Sequence, residues 1–389
     1  MSAVFAGLPT AELDSRGAKW TAQEIAQQPA VWEDVAGLVE RERARIDAFL
    51  KPLLANPYLR VVLTGAGTSA YIGDCLAPAL AARLRRRVEA IATTELLSGP
   101  QLQLPAEGPT LLVSFARSGN SPESEAVLEA VRDRDNRHLI ITCNRHGRLA
   151  TKGAADPHVI TVVLDDKTCD RSLVMTSSFT NMVLAGRLLA LATDPRDYEA
   201  RALRLAGLAA HVLLRHTDGL AGAARGPLRS AVYLGSGGRY GAAREAALKM
   251  LEMTGGQVMT FSETYLGLRH GPMCAVDRGA LVVSFLSRDA VVRAYEADLL
   301  RELKRKGLGA RKVLVGADVP PDLAAPGDVV VDAPGLGAVD DEDATVLDVL
   351  VGQILAFFRC LAGGLRPDSP SDDGVISRVV ESFAIHRRT

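Results

Sequence analysis

Short apolar runs, each closed by a glycine or small polar turn, alternate along the chain with longer stretches of helical periodicity. Leu59-Arg60-Val61-Val62-Leu63-Thr64 leads into Gly65-Ala66-Gly67, and 170 residues later Ser230-Ala231-Val232-Tyr233-Leu234 leads into Gly235-Ser236-Gly237. Leu111-Leu112-Val113-Ser114-Phe115 returns at the same offset as Leu281-Val282-Val283-Ser284-Phe285. His138–Thr142 and Val159–Val163 find counterparts in Lys312–Gly316 and Val329–Val331. Short, continuously apolar runs of this kind suit strands buried on both faces of a parallel sheet. Strands alternating with helices build right-handed βαβ units. Four matches in one order predict an α/β protein with two consecutive doubly wound domains.

The repeat sets the boundaries. Residues 1–50 read as an N-terminal helical arm, with Thr21-Ala22-Gln23-Glu24 in the form of a capping box and a charged periodic stretch from Trp32 to Leu50. The first domain is expected over 51–205 and the second over 206–365, with the linker near Leu203–Arg229. Gly363-Gly364-Leu365-Arg366-Pro367 should break a last helix near Thr345–Leu361, leaving 366–389 as a tail.

Composition narrows the picture. Hydrophobic residues at 48% and charged residues at 23% fit a soluble globular protein, and a formal net charge of −1 gives no nucleic-acid footprint. The basic runs Arg83–Arg87 and Lys304–Lys306 fall near the ends of helical patterns, where cations suit the helix dipole. Five scattered cysteines without CxxC or zinc spacing read as free buried thiols of a reducing compartment. The N-terminus lacks the basic start and apolar core of a signal peptide, and no uncharged apolar run of about 18 residues is evident. These features predict a cytoplasmic protein that engages neither nucleic acid nor membrane.

In open parallel sheets ligands bind beyond the carboxyl ends of the strands. After the first strand, Gly67 permits close backbone approach, and Thr68 and Ser69 offer hydroxyls at a helix start. A tight turn would explain as much, and the lack of GxGxxG disfavours a dinucleotide site. After the second strand, Arg117, Ser118, Asn120 and Ser121 crowd a loop that Pro122 turns into a helix. Main-chain N–H groups, hydroxyls and a guanidinium there suit a phosphate, although Ser121 could serve only as a cap. Thr176-Ser177-Ser178 opens another apolar helix, with simple capping again the competing reading. In the second copy, Glu245, Lys249 and Glu252 share one helix face, a spacing more often found in a solvated salt-bridged stripe. A loop then carries His270 between Arg269 and Gly271-Pro272, where an inert histidine is the plainer expectation.

Taken together, Gly65-x-Gly67-Thr68-Ser69, Ser118-Gly119-Asn120-Ser121-Pro122-Glu123, Glu245-x-x-Leu248-Lys249-x-x-Glu252 and Arg269-His270-Gly271-Pro272 resemble the sugar isomerase (SIS) superfamily. Ser114-Phe115-x-Arg117-Ser118 through Ser124, the Glu24–Pro29 arm and the Arg378-Val379-Val380…Ile385-His386 tail resemble the tagatose-6-phosphate ketose/aldose isomerase family, also described as galactosamine-6-phosphate deaminase/isomerase. The chain is similar as well to the isomerase half of glucosamine-6-phosphate synthase.

The resemblance implies two tandem flavodoxin-like SIS domains and a phosphosugar substrate, with no metal or cofactor. It implies that Thr68, Ser118 and Ser121 hold the phosphate, that Glu252 moves a proton between C1 and C2, and that His270 assists ring opening from the neighbouring subunit of a homodimer. Arg378 falls near a lysine of the synthase tail that closes over its site, and Arg117 stands where the synthase has glutamine. The start at Met1-Ser2, without a cysteine nucleophile, implies that no glutamine-derived ammonia is channelled and that the site releases ammonia from an aldose 2-amine. A plain ketose/aldose isomerase is the alternative. A sensor without turnover is a third reading, disfavoured by the presence of both Glu252 and His270.

Overall fold

The computed structural model describes every residue except 1–3, 6, 105–107, 131–135, 155, 192–197, 372–373, 382 and 387–389. It divides into two compact units, one of residues 30–170, 177–203 and 376–389, the other of residues 1–29, 171–176 and 204–375. The two units follow the sequence repeat but exchange short segments, so both the N-terminal arm and the tail are split between them.

The first unit holds β1 (Arg60–Thr64), β2 (Arg87–Ala90), β3 (Thr110–Ala116), β4 (Asn136–Thr142) and β5 (Val159–Val163). All pair in parallel, in the order β2-β1-β3-β4-β5. Every residue of β1 and β3 is buried, as continuous apolar runs in the middle of a covered sheet require. The second unit repeats the winding with β6 (Ser230–Leu234), β7 (Met259–Glu263), β8 (Leu281–Phe285), β9 (Arg311–Val315) and β10 (Val329–Val331), in the order β7-β6-β8-β9-β10. In each sheet the first strand lies between the second and the third, so the winding changes direction beside it.

The edge strands β2 and β7 carry no continuous apolar run and escape the sequence pattern. β2 reads Arg-Val-Glu-Ala, with Glu89 accepting from Arg60 on β1 at 2.5 Å. The basic run Arg83–Arg87 therefore straddles a helix end and a strand start, rather than lying wholly at a helix terminus.

The repeat extends to backbone angles. Gly67 has φ 56° and ψ −129°, and Gly237 has φ 56° and ψ −131°. Side chains rarely adopt that conformation, so glycine is needed where each strand turns sharply into its helix.

The core of the second unit is the helix Asp341–Ala362, broken after Ala362 near the expected Gly363-Gly364. Its apolar stretch, of mean hydropathy 1.7, is long enough to cross a membrane, but Asp348 and Arg359 interrupt it, so no uncharged run of about 18 residues exists there, and 94% of it is buried inside the protein. It packs closely on the helix Gly238–Met253, where a Cβ on Gly352 would come 2.4 Å from the Ala246 Cβ. Phe5 completes the packing, edge-on to Phe357 at 5.3 Å.

The capping box does not form. Lys19–Ala26 is helical, so Thr21 lies inside the helix and donates its N–H and hydroxyl to Asp368 at 2.8 Å. Asp368 serves the helix start in its place, and Glu24 accepts from the Arg171 N–H at 2.6 Å and from Ser172. The cysteines form no disulfide; Cys75, Cys143 and Cys360 are buried, Cys169 is half-buried and Cys274 is exposed.

Candidate active site

The first unit places Gly67, Thr68 and Ser69 after β1 and Arg117 to Ser121 after β3, on neighbouring strands at the change of winding. Thr68 and Ser69 are buried at the first turn of the helix Thr68–Leu84. The β3 loop is held from below. Asn144 Nδ2 donates to the Ser118 carbonyl at 2.8 Å, and the Leu149 N–H to that of Gly119 at 2.9 Å. Arg148 donates its N–H to Asn120 Oδ1 at 3.0 Å and its guanidinium to the Asn120 carbonyl at 2.5 Å. Asn120 thus shapes the loop through both its side chain and its carbonyl.

The loop keeps donors in hand. Among the described residues, the N–H groups of Ser118, Gly119 and Ser121 donate to no group of the chain. Gly119 has φ 64°, a left-handed turn that helps successive N–H groups converge. The Ser121 hydroxyl pairs with that of Ser124 at 2.7 Å, and the Ser118 hydroxyl accepts the Asn120 N–H at 3.3 Å. Half-buried Ser118 and Ser121 leave this face open to a small anion.

Arg117 points elsewhere. Its side chain is buried, and Nη2 donates to the Arg378 carbonyl at 2.6 Å. Burial pulls its guanidinium below the ordinary range, Asp170 opposes that, and nearby Arg378 adds to it. Arg378 in turn donates Nε and Nη2 to the Asp170 carbonyl at 3.0 and 2.5 Å. The structure therefore brings Arg117 and Arg378 together, as a latch that carries the tail.

Asp170 is the residue sequence reasoning missed. Its carboxylate accepts the Ser177 N–H and hydroxyl at 3.1 and 2.7 Å, and those of Ser178 at 2.9 and 2.5 Å. The start of the helix Ser177–Gly186 already holds an anion of the chain itself: the Asp170 carboxylate caps it, and Ser177 donates to that cap. Thr176 lies in the other unit, buried, with its carbonyl accepting from Gln353 at 3.1 Å. An aspartate seven residues before a serine pair gives no local pattern that would reveal this.

In the second unit the stripe Glu245, Lys249 and Glu252 is not solvated. The side chains of Glu245 and Lys249 are 0% and 1% exposed, whereas Glu252 keeps 25%. Lys249 Nζ lies 3.4 Å from Glu245 Oε1 and donates to Glu252 Oε2. A buried ammonium thus holds a carboxylate at the open end of the stripe. His270 is exposed in the loop after the short helix Tyr265–Leu268. Its N–H donates to the Gly267 carbonyl at 2.9 Å, and its imidazole has no hydrogen bond or ion pair among the described residues.

Comparison with known proteins fits this arrangement. The SIS domain family model matches residues 53–192. The D-galactosamine-6-phosphate deaminase AgaS of Shewanella sp. (strain ANA-3) is 38% identical, over 97% of this chain and 95% of that protein. The crystal structure of tagatose-6-phosphate ketose/aldose isomerase from Escherichia coli superposes with a TM-score of 0.87 at 34% identity, covering 95% of this chain and 97% of that one. A glutamine–fructose-6-phosphate aminotransferase of Pyrobaculum aerophilum is more distant, 27% identical over 93% of this chain and 58% of its own length. With its two parallel-sheet units and its likeness along nearly the whole length of the AgaS deaminase, the chain belongs to the AgaS family of SIS-domain proteins.

Proposed function

We propose that the protein is an amino-sugar-phosphate deaminase/isomerase acting on galactosamine 6-phosphate or a close epimer. The observation that carries this reading is the buried Lys249 holding Glu252 where a carboxylate keeps access to solvent. Aldose–ketose exchange needs one positioned carboxylate to move a proton between adjacent carbons. His270 assists ring opening to the 2-amino aldehyde. Glu252 takes the C2 proton to give an enolamine and returns it to C1, which leaves an imine at C2. Water adds at C2 and ammonia departs, so one water is consumed for each ketose 6-phosphate formed.

The phosphate, remote from the reacting carbons, supplies binding energy that positions them. Thr68, Ser118 and Ser121, with the free N–H groups of the β3 loop, hold it. Gly67 and Ser69 shape the neighbouring turn, while Asn120, Arg117, Thr176 and Ser177 act by setting backbone. Arg378 acts as the latch of the tail rather than as a substrate contact. The name of the E. coli structure favours a second reading, a plain ketose/aldose isomerase of tagatose 6-phosphate. We read the enzyme as a cytoplasmic homodimer in which His270 serves the partner's site, a reading supported by the exposure of His270 and its lack of a side-chain partner among the described residues.

The test is ammonia release from galactosamine 6-phosphate and glucosamine 6-phosphate, followed across a dilution series. The expected result is one ammonia per ketose 6-phosphate, with specific activity falling on dissociation. Turnover of tagatose 6-phosphate without ammonia from either amine would establish the second reading. Undiminished activity in the monomer would end the shared-site idea.

A further inference from the structure

The second unit carries its own change of winding, between β6 and β8, and there the place of a ligand is already taken. Glu296, on the helix Ala290–Lys306, is completely buried. Its Oε1 accepts the hydroxyl of Ser236 at 2.8 Å, from the Gly235-Ser236-Gly237 turn after β6. Its Oε2 accepts the N–H of Ser287 at 2.8 Å, from the loop after β8. One carboxylate thus bridges the two loops that correspond, 170 residues on, to those after β1 and β3. Ser287 stands at the offset of Arg117, and Gly237 has the backbone angles of Gly67.

Cations stand nearby, although burial outweighs them and pushes the Glu296 carboxyl up, and Asp341 accepts the Ser287 hydroxyl of the same loop. Arg293 Nε stands 4.0 Å from Glu296 Oε2, too far for a hydrogen bond, and its guanidinium donates to the carbonyls of Ser287, Leu286 and Ala317. Arg239, also buried, is held by Asp348 at 2.6 and 2.8 Å and so is satisfied without Glu296. Glu296 is therefore the carboxylate against which Arg293 is set. In the first unit the helix after β3 presents Ala126 at the 170-residue offset, or Leu128 counted from the helix start, and neither carries charge.

We infer that the second repeat retains an oxyanion site at its change of winding, occupied by the Glu296 carboxylate as an internal ligand, so that wild-type protein takes phosphate in its first repeat alone. The inference rests on reading the Ser118–Ser121 loop as a phosphate site. Deleting the carboxylate frees the Ser236 hydroxyl and the Ser287 N–H, beside Arg293, for a small oxyanion.

Full-length wild type, Glu296→Ala, Glu296→Ser and Glu296→Gln are titrated with inorganic phosphate by calorimetry. Thermal unfolding is followed in phosphate and in chloride at matched ionic strength. Wild type and Glu296→Gln, in which an amide of equal size keeps the space filled, should bind one phosphate per chain. Glu296→Ala and Glu296→Ser should bind two, and phosphate should raise their melting temperatures by several degrees more than that of wild type. Equal stoichiometry in all four proteins, with no extra phosphate stabilisation of the truncated variants, overturns the inference. Wild type that binds no phosphate while the truncated variants bind one removes the reading of the first loop and leaves the Glu296 site standing.

Discussion

Lys249 shows what a single residue costs and gives. Burying an ammonium costs several kcal/mol, and its attraction to Glu245 and Glu252 offsets that cost because both carboxylates lie within ion-pair distance. Lys249→Met should therefore destabilise the protein by about 3 to 5 kcal/mol in urea unfolding, through the unbalanced charge of Glu245. Adding Glu245→Gln should recover part of that loss. A cost below about 1 kcal/mol for the single change would show that the pair is solvated after all. The spacing of the three residues was legible in the sequence. Their burial was not, because periodicity places residues on one face without saying what covers it. Asp170 and Glu296 were invisible for a related reason: each carboxylate serves groups on another segment.

At the scale of elements, β3 and β4 are joined by a buried polar pair, Ser114 Oγ and His138 Nε2 at 2.7 Å. Nδ1 of that histidine has no hydrogen-bond partner among the described residues, and the ring lines a small cavity with Arg137, Asp156 and His158. Burial pulls His138 down from 6.5 to about 4, with Asp156 partly opposing. Between those values the unfolded chain binds the proton that the folded protein refuses, so stability is lost as pH falls from about 6.5 to about 4. The loss amounts to about 3 kcal/mol, and at neutral pH none of it is felt. Denaturant unfolding at stepped pH should show this slope in wild type and a flatter one in His138→Gln; an unchanged slope would assign the acid sensitivity to other groups. The central strands were legible because each carries a short continuous apolar run. Of the four edge strands, β5 and β10 keep apolar runs and were legible, whereas β2 and β7 were not, because a strand paired on one side tolerates polar residues and these two carry them.

For the whole molecule, the repeat in sequence reappears as two sheets of the same winding, down to the angles of Gly67 and Gly237. What the sequence hid is the division of labour between the copies. The first keeps a loop with unspent N–H groups, while the second fills its equivalent position with Glu296 and buries a charged stripe along its first helix. The exchange of residues 171–176 was equally hidden, since it depends on partners as remote as Glu24 and Gln353. The proposed function turns on Glu252, the base proposed to move the proton whose transfer precedes loss of ammonia. The most direct measurement is ammonia release from galactosamine 6-phosphate by wild type and by Glu252→Gln, which keeps the shape of the side chain and removes its basicity. Wild type should release ammonia steadily and the variant at least about 100-fold more slowly, with phosphosugar binding retained. Release by the variant at the wild-type rate would contradict that role of Glu252.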